Sequence, residues 1–99
     1  MGSGGVSYTD TWANPEKLKG HFIKHGKQFN STSSQDYARK AQEFYKNRMD
    51  YQRKTDEHGV TRIYDAETNS FGSYNSQGKT ITFFKPSQRQ RYFDRQRGE

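Results

Sequence analysis

The spacing of apolar residues changes part-way along the chain. Across residues 18–49 they recur three and four apart, and from Val60 onward they alternate every second residue. The first pattern predicts helices and the second predicts strands. At Asn14-Pro15-Glu16, Asn can cap free amides, Pro suits the first helical position, and Glu complements the positive helix end, so a helix is expected to begin there. Leu18, Phe22, His25 and Phe29 follow at helical spacing, with Gly26 expected to end or distort the helix. After a polar connector at residues 30–34, Ser33 or Ser34 is expected to cap a second helix. This helix carries Tyr37, Ala38, Ala41, Phe44, Tyr45 and Met49 on one side, and Arg39, Lys40, Lys46 and Arg48 on the other.

Residues 53–58, closed by Gly59, read as a charged loop. Turn signals at residues 66–69 and 75–78 then divide the remainder into strands near residues 60–65, 70–74 and 79–85, joined as an antiparallel meander. The basic tail at residues 86–99 is expected to add an edge strand through Arg91, Tyr92 and Phe93. The predicted fold class is therefore α+β, with N-terminal helices packed on a small antiparallel sheet of three to five strands. Leu18, Phe22, Phe29, Tyr37, Ala41, Phe44, Val60, Ile63, Phe71, Ile81, Phe83 and Phe84 are the expected core. Residues 1–10 read as a linker, and residues 11–99 as one domain.

Composition adjusts this picture. Only 27% of the 99 residues are hydrophobic but 15% are aromatic, so a thin core rich in rings is expected. The formal charge of +6 and a pI near 9.7 favour polyanionic partners, nucleic acid first, although a basic surface also suits an acidic protein. With no cysteine, disulfides and thiolate zinc sites are excluded. No apolar run approaches the roughly 20 residues needed to span a bilayer.

The densest polar cluster is His21-Phe22-Ile23-Lys24-His25-Gly26, where residues three and four apart lie side by side on a helix. An imidazole can take a proton from a ribose 2′-hydroxyl, and an ammonium can stabilise charge developing on phosphate. His25 also shares a sector with Leu18, Phe22 and Phe29, as a half-buried structural histidine would. Two histidines four apart suggest zinc as well, but no Glu lies between them and the third histidine, His58, falls in a loop, so no metal site is expected. On the last strand, alternation places Thr80, Thr82 and Phe84 on one face, where the hydroxyls can donate to phosphate and Lys85 can swing to the same ligand. Arg62 and Tyr64 offer a guanidinium and a phenol on a neighbouring strand. Tyr74, Arg91 and Tyr92, with Tyr51, Phe93 and nearby arginines, suit stacking of unpaired bases. There is no phosphate-cradling glycine loop, serine-nucleophile elbow or acid pair placed for sugar chemistry.

Leu18-x-x-His21-Phe22-x-Lys24-His25-Gly26-x-x-Phe29, Tyr37 with Ala41, Arg62-x-Tyr64, Thr68-Asn69-x-Phe71-Gly72 and Thr80-x-Thr82-Phe83-Phe84-Lys85-Pro86 together resemble the toxin domains that end contact-dependent inhibition proteins and related polymorphic toxins. Those domains share a fold group with barnase, colicins D and E5, and RelE-like nucleases. The resemblance implies a cofactor-free ribonuclease, acting on tRNA, that attacks through the 2′-hydroxyl and leaves a 2′,3′-cyclic phosphate. It also implies delivery within a larger secreted or cell-surface toxin, action in the target-cell cytoplasm, and a cognate immunity protein, expected to be acidic. The implied site comprises His21, Lys24, His25, Arg62, Thr80, Thr82 and Lys85, with the choice of base between the imidazoles left open. A nonenzymatic single-stranded RNA-binding module and an adaptor for an acidic protein are the alternatives.

Overall fold

The computed structural model describes residues 7–99, and the first six positions of the expected linker lie outside the described residues. Three α-helices and a four-stranded antiparallel sheet form an α+β domain: α1 (Leu18–His25), α2 (Ser34–Lys46), β1 (Gln52–Thr55), β2 (Thr61–Asp65), β3 (Ser70–Tyr74), β4 (Thr80–Phe84) and α3 (Gln90–Asp94). The strands follow one another across the sheet as a meander. Their register places Ile63, Gly72 and Phe83 in one row and Tyr64, Phe71 and Phe84 in the next, so the two rows face opposite sides of the sheet.

The first side is covered by α1 and α2, where Leu18, Tyr37, Ala38, Ala41 and Phe44 pack with Ile63, Tyr74 and Phe83. The Ser33 hydroxyl caps α2 by accepting from the Asp36 amide at 3.0 Å. Asn14, by contrast, makes no side-chain cap, and a 3-10 turn at Pro15–Lys17 leads into α1. Past Gly26 the chain tightens into a second 3-10 turn that ends on left-handed Asn30. A Cβ on Gly26 would lie 2.6 Å from the Phe22 ring, so glycine lets that ring pack against its own helix end.

The second side carries a smaller cluster of Tyr64, Phe71 and Phe93, flanked by Phe84 and Tyr92. Here the tail departs from the expected edge strand: it forms α3, which buries Phe93 against Tyr64. The Lys54 ammonium donates to the carbonyls of Phe93, Asp94 and Gln96 and so caps the end of α3. The segment read as a loop at residues 53–58 contributes β1, whose Thr55 exchanges backbone hydrogen bonds with Glu99.

The expected core changes in part. Ile81 is 39% exposed and Phe22, Phe29, Val60 and Phe84 are half-buried, while Trp12, Tyr64, Tyr74 and Phe93 are buried; Met49, expected on the apolar side of the second helix, lies past its end and is exposed. Between Ser73 and Tyr74 the β3–β4 register shifts, so Thr82 pairs with Ser73, Thr80 pairs with Tyr74, and Ile81 is left over as a bulge. At the N-terminal edge, the Gln35 side chain binds the Tyr8 amide and the Thr9 hydroxyl, so the fold takes in residues that read as linker.

Candidate active site

The edge of β4 away from β3 is covered by two pieces of chain. Trp12 forms a parallel bridge to Thr80, with the Ala13 amide donating to the Thr80 carbonyl at 2.8 Å. Beyond it, α1 runs past the same strand and sets its imidazoles along the edge. The Trp12 and His21 rings lie 4.8 Å apart, those of His21 and His25 6.2 Å apart, and those of His25 and Phe84 5.3 Å apart. The Tyr92 ring then meets Phe84 edge-on at 5.3 Å.

Along this line α1 presents an open groove of about 310 Å3, lined by Glu16, Lys17, Gly20, His21, Lys24 and His25. Lys17, His21 and Lys24 are neighbours because they sit four and three residues apart on one helical face. Both imidazoles are half-buried, and the Nδ1 of each is buried without a hydrogen-bond partner. Burial is the main cause that holds His21 below its ordinary pKa, and the Lys17 and Lys24 ammonium groups add to it. His25 is lowered first by burial, then by His21 and Lys24, with the Gln28 side chain pulling the other way. Both rings are therefore predominantly neutral at pH 7 and can accept a proton.

Thr82 joins this neighbourhood: it is half-buried and lines, with His21, a smaller cleft beside the groove. The bulge at Ile81 separates it from Thr80, which turns to the helix side of the sheet and is fully buried, with its hydroxyl unpartnered. The two threonines thus do not share the face that alternation predicts. Lys85 is also turned away, its ammonium donating to the Thr68 carbonyl at 2.6 Å and the Ser70 hydroxyl at 3.1 Å and lying 4.8 Å from the centre of the Phe29 ring. Burial is the leading cause that lowers its pKa. Its amide donates to the Gln28 side chain, in the 3-10 turn that follows α1.

Most of the expected RNA-binding side chains have structural partners. Arg62 pairs with Asp56 at 2.8 Å and also donates to the Arg97 carbonyl. Tyr64 donates to Asn69 at 2.7 Å and stacks on Phe93, and Tyr74 is buried with its hydroxyl on the Ala41 carbonyl. Tyr92 is half-buried between Phe71 and Phe84, while Arg91 is exposed on α3. Lys17 and Trp12 are the neighbours of the imidazoles that sequence reasoning missed. Lys17 was visible in principle, four residues before His21; Trp12 arrives through a non-local bridge that no local pattern signals. Among the described residues, no three His, Cys, Asp or Glu side chains gather as metal ligands.

No protein-family model matches this chain, and no curated protein matches it. Among the described residues no helix is long and apolar enough to cross a membrane.

Proposed function

We propose that this chain is an endoribonuclease whose reaction centre is the α1 groove. The observation that carries the reading is the pair of imidazoles 6.2 Å apart, flanked by Lys17 and Lys24 on an open surface of a cationic protein. One imidazole takes the proton of a ribose 2′-hydroxyl as that oxygen attacks phosphorus. The P–O5′ bond breaks, and the other ring, protonated, gives its proton to the departing 5′-oxygen. The products are a 2′,3′-cyclic phosphate and a 5′-hydroxyl.

Neutral imidazoles suit the first role. The second needs a protonated ring, which the phosphate anion favours once bound by raising the pKa of whichever imidazole it touches. Lys24 and Lys17 hold the phosphate and stabilise charge developing on its oxygens, and Thr82, which lines the neighbouring cleft with His21, donates a further hydrogen bond to the bound strand. The substrate in this reading is tRNA, the chemistry needs no divalent metal, and the domain acts in a target-cell cytoplasm as the delivered end of a larger toxin. An acidic immunity protein neutralises it by covering the same lysines. A surface that only stacks bases is less well supported, because Tyr64 and Tyr74 are committed to the fold.

The test is cleavage of purified tRNA and of an unstructured RNA in excess chelator, with chemical identification of the new ends. Cyclic phosphate and 5′-hydroxyl ends are expected. No cleavage of either RNA, or cleavage only with added metal ion, overturns the reading.

A further inference from the structure

We propose that the cleft between the Trp12 segment and β4 is a nucleobase subsite, holding a base of the RNA strand next to the phosphate on α1; this rests on the ribonuclease reading above. The cleft has a volume of about 210 Å3 and is lined by Trp12, Ala13, Asn14, Lys17, His21, Ile81 and Thr82. Lys17 and His21 line the α1 groove as well, so the two depressions meet at those side chains and one strand can occupy both.

Its walls suit a flat heteroaromatic ring with a polar edge. Ile81 supplies exposed apolar surface, over the buried Trp12 ring, and is available only because the bulge takes it out of the core. Asn14 and Thr82 bring an amide and a hydroxyl, each able to donate and accept. Asn14 stands at a helix start, yet its side chain makes no cap, which leaves that amide free for another partner.

A second observation points the same way. Trp12 and His21, which both line the cleft, each carry a buried ring nitrogen without a hydrogen-bond partner. Unpaired buried polar atoms are costly, so the two polar groups beneath this cleft favour an added hydrogen-bonding group there. Apolar contact with Ile81 tolerates any base, so selectivity comes from the Asn14 and Thr82 edge.

Trp12 is the single tryptophan of the chain and reports on the cleft directly. Its fluorescence is to be titrated with each of the four nucleoside 3′-monophosphates and with inorganic phosphate, in the parent protein and in Asn14→Ala and Ala13→Leu. Expected is a saturable change with nucleotides that is larger than any change with phosphate, unequal among the four bases, about tenfold weaker in Asn14→Ala and reduced to the phosphate level in Ala13→Leu, whose added side chain fills the cleft. Circular dichroism of each variant checks that it folds. No response to any nucleotide, an equal response to inorganic phosphate, or full binding by folded Ala13→Leu overturns the subsite. Nucleotide binding in a protein that cleaves no RNA leaves the subsite standing and removes the ribonuclease, and cleavage without nucleotide binding does the reverse.

Discussion

The Tyr74 hydroxyl donates a 2.7 Å hydrogen bond to the Ala41 carbonyl, tying the end of β3 to the middle of α2. The ring lies over Gly72, where a Cβ would come within 2.5 Å of the phenol oxygen, so the glycine makes room for this contact. Burial raises the Tyr74 pKa well above the ordinary phenol value, so the group stays a neutral donor throughout the physiological range. Tyr74→Phe leaves a carbonyl that already serves α2 without its second partner, and is expected to cost about 1–2 kcal/mol of stability. Gly72→Ala, which crowds the ring, is expected to cost about 1–3 kcal/mol. Chemical denaturation measures both, and RNA cleavage by the folded fraction should be unchanged.

For the site itself, His21→Ala and His25→Ala are each expected to lower cleavage by about 100-fold or more while the domain stays folded, because neither ring makes a hydrogen bond through its buried Nδ1. Single-turnover rates on a short RNA, alongside circular dichroism, give the answer. If both folded variants cut at the parental rate, the reaction centre is not on α1.

Lys85 separates two roles that sequence alone leaves merged. Its ammonium holds the β2–β3 turn through Thr68 and Ser70. Lys85→Met is therefore expected to lower stability by about 1 kcal/mol, discounted for partial exposure, and to leave the rate constant nearly unchanged. Lys24→Met should do the opposite, reducing cleavage with little effect on the melting temperature, since Lys24 is exposed on the groove. A rate loss in Lys85→Met equal to that of Lys24→Met would return Lys85 to the site.

What the chain reveals in advance is what local spacing encodes. The second helix was legible because a capping serine precedes an apolar stripe, and the α1 cluster because three- and four-residue spacings bring side chains together. β1 was not legible: Gln-Arg-Lys-Thr contains no apolar residue, and its place comes from pairing with β2 and from Glu99. α3 spans barely more than one turn, stabilised by Phe93 packing and the Lys54 cap rather than by its own sequence. The threonine pair failed for a similar reason, since strict alternation cannot foresee the bulge that sends Thr80 inward and Ile81 outward.

The pH dependence of stability follows from the same groups, and its sign can be worked through. His21 and His25 have pKa values below the ordinary 6.5 in the folded state, so between those values and 6.5 the unfolded chain binds more protons. Unfolding is then favoured as pH falls: the contribution of the two rings is complete above about 6.5 and declines as pH drops through their folded values. Asp56 acts in a separate window. Its carboxylate is held to about 2, first by the Arg62 hydrogen bond, with further help from the Val60 and His58 amides. Its contribution is therefore full above 3.8 and disappears only as pH falls toward 2. Melting temperatures should begin to decline just below pH 6.5 and decline again in strong acid. Replacing both histidines with Asn should flatten the first decline and leave the second, whereas Asp56→Asn should reduce only the second, part of which Asp36, lowered first by its Arg39 hydrogen bond, retains. A double-histidine variant that still lost stability between pH 6.5 and 5 as steeply as the parent would show that the imidazoles on α1 are not held in the neutral form, and would take away the base that the proposed cleavage requires.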